Sequence, residues 1–157
     1  MTQLLAQVNV GRLVADMDSP VVAEFVGALE RINRVADDAH GFVWRLSADG
    51  VEGELTEVGD GDPRFVINLS TWRSWETLRA YVFETEHALF VRRRREWFAP
   101  YPTAFAALWW VEEGVKPTVD DAMARLAHLD AHGPTAFAFT PAHRFTPDGE
   151  PVRASRV

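Results

Sequence analysis

A histidine and an arginine on one predicted helix are the residues of this sequence best suited to chemistry. Between about Phe83 and Phe98 the large apolar residues recur at helical spacing, and His87 and Arg94 fall near the middle of the apolar stripe. Such a helix rarely buries two titratable groups, because an unpaired buried charge is costly. A neutral imidazole is a base near neutral pH, and a guanidinium binds carboxylates and phenolates. The spacing therefore indicates a small-molecule site with His87 as base or orienting donor and Arg94 as anion anchor.

Both residues also have structural explanations, which the sequence leaves open. Buried histidines usually hydrogen-bond a backbone carbonyl or a carboxylate. Arg94 either pairs with a glutamate or lays its stem over Phe90 and Phe98 with its head in water. The four arginines at 92–95 splay around the whole helix, so they predict no single basic patch.

Two amides and several aromatic residues complete the predicted site. Asn9 falls on the first predicted strand and Asn68 on a later one, where each can orient an oxygen or a substrate hydroxyl. Aromatic side chains often line ligand cavities, and those assigned to this pocket are Trp44, Trp75, Tyr81, Phe83 and Phe90. The alternative for any one of these aromatics is packing in the core or in a dimer interface. The combination predicts an aromatic pocket with a polar spot.

Composition and charge exclude several classes of function. A net charge of −7 disfavours nucleic-acid binding, which needs basic surface. The absence of Cys excludes disulfides, thiolate metal sites and a Cys nucleophile, and it suits a reducing cytoplasm. No apolar run approaches the length of a membrane span, and the N-terminal stretch lacks the basic region of a secretion signal. We therefore expect a cytoplasmic protein with no membrane or nucleic-acid partner.

One further pair of histidines has metal-ligand spacing. His128 and His132 lie four residues apart on a predicted helix, a spacing that zinc sites use. No Glu follows the first histidine and no third ligand is evident, so the motif predicts no metal site. The sequence also has no Gly-rich phosphate loop and no nucleophile elbow.

The elements that must position these residues follow the order β-α-β-β-α-(α)-β-α-β. Alternation and turn signals predict strands at 4–13, 42–47, 65–70, 104–111 and 136–140. Apolar periodicity and caps predict helices at 19–39, 74–82, 83–98 and 118–132, with a kink near 83–85. Residues 48–64 form a long hairpin connection in which 51–58 is a candidate short strand.

This order predicts an α+β fold, with a ferredoxin-like antiparallel sheet and helices on one face. A single domain covers residues 1–140, and an exposed C-terminal tail covers 141–157. Several strands are apolar on both faces, so the face without helices must meet another surface. A second copy of the chain is the simplest partner, and we expect a homodimer.

Five stretches spread over most of the chain carry a family resemblance. They are GFVWRL (41–46), NLSTWRSWETLRAYVF (68–83), EHALFVRRRREWF (86–98), LWWVEEGVKPTVDDAMARLAHL (108–129) and HGPTAFAF (132–139). Together they resemble the bacterial domain-of-unknown-function 3291 family, whose name carries no established activity.

The order of elements is more distantly similar to the dimeric α/β-barrel superfamily. That group includes cofactor-free monooxygenases of antibiotic biosynthesis and haem-degrading monooxygenases. The resemblance implies two ferredoxin-like sheets paired into a barrel, with a pocket between sheet and helices in each subunit. Haem-degrading members use an Asn on the first strand, a Trp on the second helix and a His further along it. Asn9, Trp75 and His87 match these in kind, with Tyr81 nearer than Trp75 to the position expected for the helix Trp.

The resemblance and the residues lead to one main expectation about function. The chain is expected to oxygenate an aromatic or polycyclic molecule without an added cofactor, with His87 and Asn9 catalytic and Arg94 binding the substrate. One alternative is a haem protein with His87 as axial ligand. The other is a non-catalytic module that binds a small molecule.

Overall fold

The computed structural model describes residues 2–47 and 61–153, and these contain four strands and four α-helices. In chain order they are β1 (Gln3–Arg12), α1 (Ala23–Asp37), β2 (Phe42–Arg45), β3 (Phe65–Trp72), α2 (Trp75–Glu84), α3 (His87–Arg92), β4 (Ala106–Glu112) and α4 (Val119–His132). A 3-10 turn at Pro20–Val22 precedes α1, and another at Arg94–Glu96 follows α3. The candidate strand at 51–58 lies outside the described residues.

Side-chain caps set the starts of the helices. Ser74 and Thr77 cap α2 reciprocally, and Thr118 and Asp121 do the same for α4. Ser19 caps the turn that leads into α1. Each cap satisfies backbone N–H groups that have no partner within the helix. The predicted starts at Ser74 and Thr118 are confirmed.

The four strands form one open sheet in the order β2-β3-β1-β4, and every neighbouring pair is antiparallel. β1 is central, so Val8 lies opposite Leu69 of β3 on one side and Ala107 of β4 on the other. The predicted α+β class with an antiparallel sheet is confirmed.

Helices α1, α2 and α3 cover the face that carries Leu5, Gln7, Asn9 and Gly11 of β1, which we call the first face. Two apolar clusters form there. The Leu5 cluster consists of Leu5, Ala36, Trp72, Leu78, Tyr81, Leu108 and Phe139. The Leu13 cluster consists of Leu13, Val22 and Trp97, with Phe25, Val66, Phe90 and Phe98 packed against it. Because each cluster holds one end of the sheet, the middle of the first face lies between them.

Helix α4 covers the second face, which carries Leu4, Ala6, Val8 and Val10 of β1. Ala122, Leu126 and Leu129 of α4 are buried in one cluster with residues of β1, β3 and β4. The prediction of helices on one face only is therefore wrong. The helical spacing of these α4 residues provides an apolar stripe that matches the apolar alternation of β1.

The predicted kink near 83–85 is a full break at Thr85, but the predicted single segment at 83–98 is wrong, because α3 covers only His87–Arg92 and a 3-10 turn follows at Arg94–Glu96. Thr85 has extended backbone angles of φ −115° and ψ −178°. Its hydroxyl donates to the Tyr81 carbonyl at 2.5 Å and accepts from the His87 N–H at 3.3 Å. Phe83 near the end of α2 and Val91 in α3 are both exposed, although the helical wheel placed both in the apolar stripe.

The C-terminal part of the chain differs from the prediction at 136–140. These residues form a single bridge, Leu108 to Phe139, instead of a strand. A turn in which the Thr135 N–H donates to the Ala138 carbonyl limits the pairing. Beyond it, most residues from 141 to 153 are exposed, but Phe145 packs against the Leu5 cluster and accepts a hydrogen bond from Trp110 Nε1 at 2.8 Å.

Gly11 is the position in β1 where a side chain would not fit. A Cβ there would lie 2.6 Å from Cδ1 and 2.9 Å from Cε1 of Phe98. We expect Gly11→Ala to lower the free energy of unfolding by about 1–3 kcal/mol, because overpacking displaces Phe98.

Gly27 provides the matched control, since a Cβ in this exposed part of α1 would meet nothing within 4 Å. Gly27→Ala should raise the free energy of unfolding by about 0.5–1 kcal/mol through helix propensity. Urea unfolding measures both values, and equal changes in the two variants would contradict the packing argument.

Candidate functional site

A row of polar side chains crosses the first face between the Leu5 cluster and the Leu13 cluster. It consists of Gln7 and Asn9 from β1 and of Asn68 and Ser70 from β3. The antiparallel register places Gln7 opposite Ser70 and Asn9 opposite Asn68. Side chains two residues apart share one face of a strand, so both strands present their polar groups to the same side. We call these four residues the polar row.

Hydrogen bonds join the members of the polar row. Gln7 Nε2 donates to Asn68 Oδ1 at 2.6 Å and to Ser70 Oγ at 2.7 Å. Asn9 Nδ2 donates to Gln7 Oε1 at 3.2 Å. Gln7 is buried and Asn68 is exposed, so the row is open to solvent at the Asn68 side. In the part of the chain that the structure describes, Asn9 Oδ1 and Asn68 Nδ2 have no hydrogen-bond partner and remain available to a ligand.

Arg94 lies at one end of the polar row. Its guanidinium is 4.9 Å from the Phe98 ring centroid and 4.6 Å from that of Phe105, and Nη2 donates to the Val10 carbonyl at 3.3 Å. No carboxylate within residues 2–47 and 61–153 pairs with it. Partial burial lowers the pKa of Arg94. The guanidinium is thus a half-buried cation whose charge is compensated only by aromatic rings and one carbonyl.

Gly11 allows this approach of Arg94 to the sheet. Arg94 Nη2 lies 3.4 Å from the position that a Gly11 Cβ would occupy. Gly11 follows Asn9 on the same face of β1, about 7 Å further along the strand. The cation and the free Asn9 oxygen are therefore close enough for one ring-sized molecule to contact both.

His87 lies at the other side, against the Leu5 cluster. Its ring is 4.8 Å from the Tyr81 ring, which in turn is stacked on Trp72 at 5.0 Å. His87 Nδ1 lies 3.3 Å from the Val82 carbonyl, which can only accept, so Nδ1 carries the proton. Burial lowers the pKa of His87, and the imidazole is neutral at neutral pH. Nε2 then holds a free lone pair, with no hydrogen bond to any described residue.

The helix break explains why His87 can reach this carbonyl. In a continuous helix the Val82 carbonyl would accept from the backbone N–H four residues later. Here α2 ends at Glu84, and Thr85 bridges the two helices. The hydroxyl of Thr85 therefore fixes both the start of α3 and the orientation of the imidazole.

The structure brings some predicted residues together and separates others. Asn9, Asn68, Arg94, Tyr81 and His87 all lie on the first face or on the helices that cover it. His87 contacts the Leu5 cluster and Arg94 the Leu13 cluster, so they lie on either side of the polar row instead of touching each other.

The remaining predicted aromatics lie elsewhere. Trp44 pairs with Thr71 and packs on the second face, and Phe83 is 53% exposed. Phe90 packs against Trp97 at 5.4 Å in the Leu13 cluster, and Trp75 lines a separate cavity. Sequence reasoning did not assign Ser70 to the site. Its spacing of two residues from Asn68, which places both side chains on one face of β3, was the signal that could have found it.

Two cavities and the histidine pair lie away from the polar row. The cavities have volumes of about 140 Å³ and 230 Å³, and neither is lined by His87 or Arg94. His128 Nε2 lies 3.0 Å from Thr135 Oγ1, and its ring packs on His132 at 4.6 Å. Within the described ranges no three His, Cys, Asp or Glu residues are grouped to hold a metal ion. No helix there is both long and apolar enough to cross a membrane.

Comparison with known proteins yields one family. The model of the family described as Domain of unknown function (DUF3291) matches residues 4–155. No curated protein and no solved structure matches the chain. The matched range includes every member of the polar row together with His87 and Arg94.

The lowered pKa of His87 makes stability depend on pH. The unfolded imidazole, with a pKa of about 6.5, binds a proton more readily than the buried one. The buried, neutral imidazole therefore makes its full contribution to the free energy of unfolding above pH 6.5. This contribution is lost as the pH falls below that value. We expect His87→Gln to flatten this decline between pH 7.5 and pH 5 in urea unfolding experiments.

Three carboxylates with shifted pKa values do not obscure this window. The groups whose pKa values are lowered, Glu24, Asp62 and Glu96, titrate below their ordinary values of 4.5 or less. Identical pH profiles for the wild type and His87→Gln would show that His87 is not buried as a neutral base.

Proposed function

Because the chain belongs to the DUF3291 family, whose description assigns no activity, we propose a function from the geometry of the polar row. The polar row and Arg94 bind an aromatic molecule that carries a phenolate or carboxylate, and the protein oxygenates it without an added cofactor. The observation that carries this proposal is Arg94, a half-buried cation without a carboxylate partner among the described residues.

The surroundings of Arg94 favour an anionic and flat ligand. An unpaired guanidinium taken partly out of water gains most from an anion that it can bind with two N–H groups. Phe98 and Phe105 flank it and provide ring surfaces. The free oxygen of Asn9 and the free Nδ2 of Asn68 add one acceptor and one donor. Together these groups favour a ring with one oxyanion and a second polar substituent.

His87 supplies the base that the reaction needs. Nε2 accepts a proton from a CH₂ group that is conjugated through an aromatic ring with a carbonyl, and Arg94 holds the oxygen of the enolate that results. The carbanion transfers one electron to O₂, and the radical and superoxide combine to a hydroperoxide. Loss of water then leaves a carbonyl group, so that RCH₂R′ and O₂ give RC(O)R′ and H₂O. The substrate provides all four electrons, and no redox cofactor is required.

We also propose the finer fold that this function implies. The strand order β2-β3-β1-β4, with helices following β1 and β3, supports a ferredoxin-like unit. Two units that pair into a barrel would meet at the part of the second face that α4 covers incompletely. The apolar residues of that half are Trp44, Leu46, Phe65 and Ile67.

In the proposed oxygenase, His87 and Arg94 have separable roles. With anthrone as the probe substrate, we expect His87→Gln to lower kcat about 100-fold or more in oxygen-uptake assays, because the proton acceptor is lost. Arg94→Gln should raise KM about tenfold. Arg92→Gln, an exposed arginine of α3, is the matched control and should leave both constants unchanged.

Two results would contradict the oxygenase proposal. Turnover that survives His87→Gln would remove the assigned base. Tight binding of an aromatic anion with no oxygen consumption would make the protein a non-catalytic binding module.

One observation favours haem as a second candidate. The hydrogen bond from Nδ1 to a carbonyl leaves His87 Nε2 free, as an axial ligand requires. The surroundings do not fit haem, because the His87 ring lies against Tyr81 and neither of the two cavities is lined by His87. We therefore assign no step to haem.

An absorption spectrum tests this conclusion directly. We expect haem added to the purified protein to give the same spectrum with the wild type and with His87→Ala, because neither cavity is lined by His87 and its ring packs against Tyr81. A sharp Soret band that is lost in His87→Ala would overturn the assignment and favour haem.

A further inference from the structure

A small cavity lies beneath the C-terminal segment, residues 141–153, away from the polar row. Its volume is about 140 Å³. The start of β1, the start of α2, the end of β4 and the C-terminal segment surround it. Its walls are mainly apolar, and the principal wall residues are Leu5, Trp75, Trp110, Phe139 and Phe145. An apolar cavity of about 150 Å³ accommodates benzene, so this one has the size of a single six-membered ring.

The C-terminal segment is a fixed wall of this cavity. Trp110 Nε1 donates to the Phe145 carbonyl at 2.8 Å, and the Val152 N–H donates to the Arg144 carbonyl at 2.8 Å. The Phe145 ring lies 5.9 Å from that of Phe139. These contacts hold the segment both to the sheet and to itself.

Arg144 places a positive charge on this wall. Its guanidinium lies 4.9 Å from the centre of the Trp75 ring, and it forms no salt bridge with any residue of the described ranges. The exposed Glu76 also lines the cavity and is not paired with Arg144. The cation favours an anionic ligand, whereas the nearby carboxylate repels a second negative charge. Size and charge together select a single ring with one negative charge.

We propose that this cavity binds a single-ring aromatic monocarboxylate. The ring lies among Trp75, Trp110 and Phe145, and the carboxylate binds the Arg144 guanidinium. No residue of the polar row lines the cavity, and neither His87 nor Arg94 does. The proposal is therefore independent of the oxygenase function.

Titration with benzoate, followed by ¹H–¹⁵N NMR, tests the proposal on the full chain. The six Trp indole N–H signals report on different parts of the molecule. The signals of Trp75 and Trp110 should move and saturate, while that of Trp97 in the Leu13 cluster should not. Arg144→Gln should weaken benzoate binding at least about tenfold, because a charge-assisted bond is lost. Arg79→Gln, an exposed arginine of the same helix α2, should not change it.

Ligand and charge controls sharpen the test. Benzyl alcohol, which has the ring without the charge, should bind at least about tenfold more weakly than benzoate. Glu76→Gln should tighten benzoate binding. Equal affinities of the wild type and Arg144→Gln, with both proteins giving dispersed spectra, would overturn the proposal. Loss of binding in Arg94→Gln instead would also overturn it, because benzoate would then occupy the polar row.

Discussion

The carboxamide of Gln7 is the constraint on which the first face depends. Gln7 belongs to the central strand and is buried, so its donors and its acceptor must be satisfied within the protein. Asn68, Ser70 and Asn9 meet this requirement from the two strands. Ser70 also accepts from the indole N–H of Trp72, which connects the polar row to the Leu5 cluster. Gln7 and Ser70 of the polar row are thus as much a part of the core as the apolar clusters on either side of it.

This arrangement explains how a polar site can lie under helices without weakening the fold. The two clusters bury Trp72 and Trp97 almost completely, and they tie α1, α2 and α3 to opposite ends of the sheet. The middle of the first face can then keep amide groups and a nearby half-buried cation, with Asn68 exposed to solvent. The cost of an uncompensated charge is reduced because Arg94 is only half-buried and contacts two aromatic rings.

Local patterns predicted most of the elements because their causes are local. Alternation in β1 and β3 placed Asn9 and Asn68 on strands, and caps at Ser74 and Thr118 placed two helices. The kink near 83–85 was predicted, but not the full break at Thr85, because a hydroxyl that bonds the backbone on both sides competes with a helical ladder that the apolar periodicity also favours. The placement of α4 on the second face depends on contacts distant in sequence, which periodicity does not specify. Trp44 was assigned to the pocket by residue type and Phe83 by residue type and helical spacing, but Trp44 lies on the second face and Phe83 is exposed.

The bridge between Leu108 and Phe139 has a consequence for how the sheet meets other molecules. β4 is an outer strand, and this bridge satisfies backbone groups that would otherwise be open to pairing with another chain. At the opposite edge, β2 has only four residues, and its register with β3 shifts between Phe42 and Trp44. Short or covered edges resist the strand-to-strand growth that leads to aggregates. In the described part of the chain, association with other molecules is therefore left to side-chain surfaces. The shape and apolar residues of such a surface make binding specific, whereas an open backbone edge pairs with any strand.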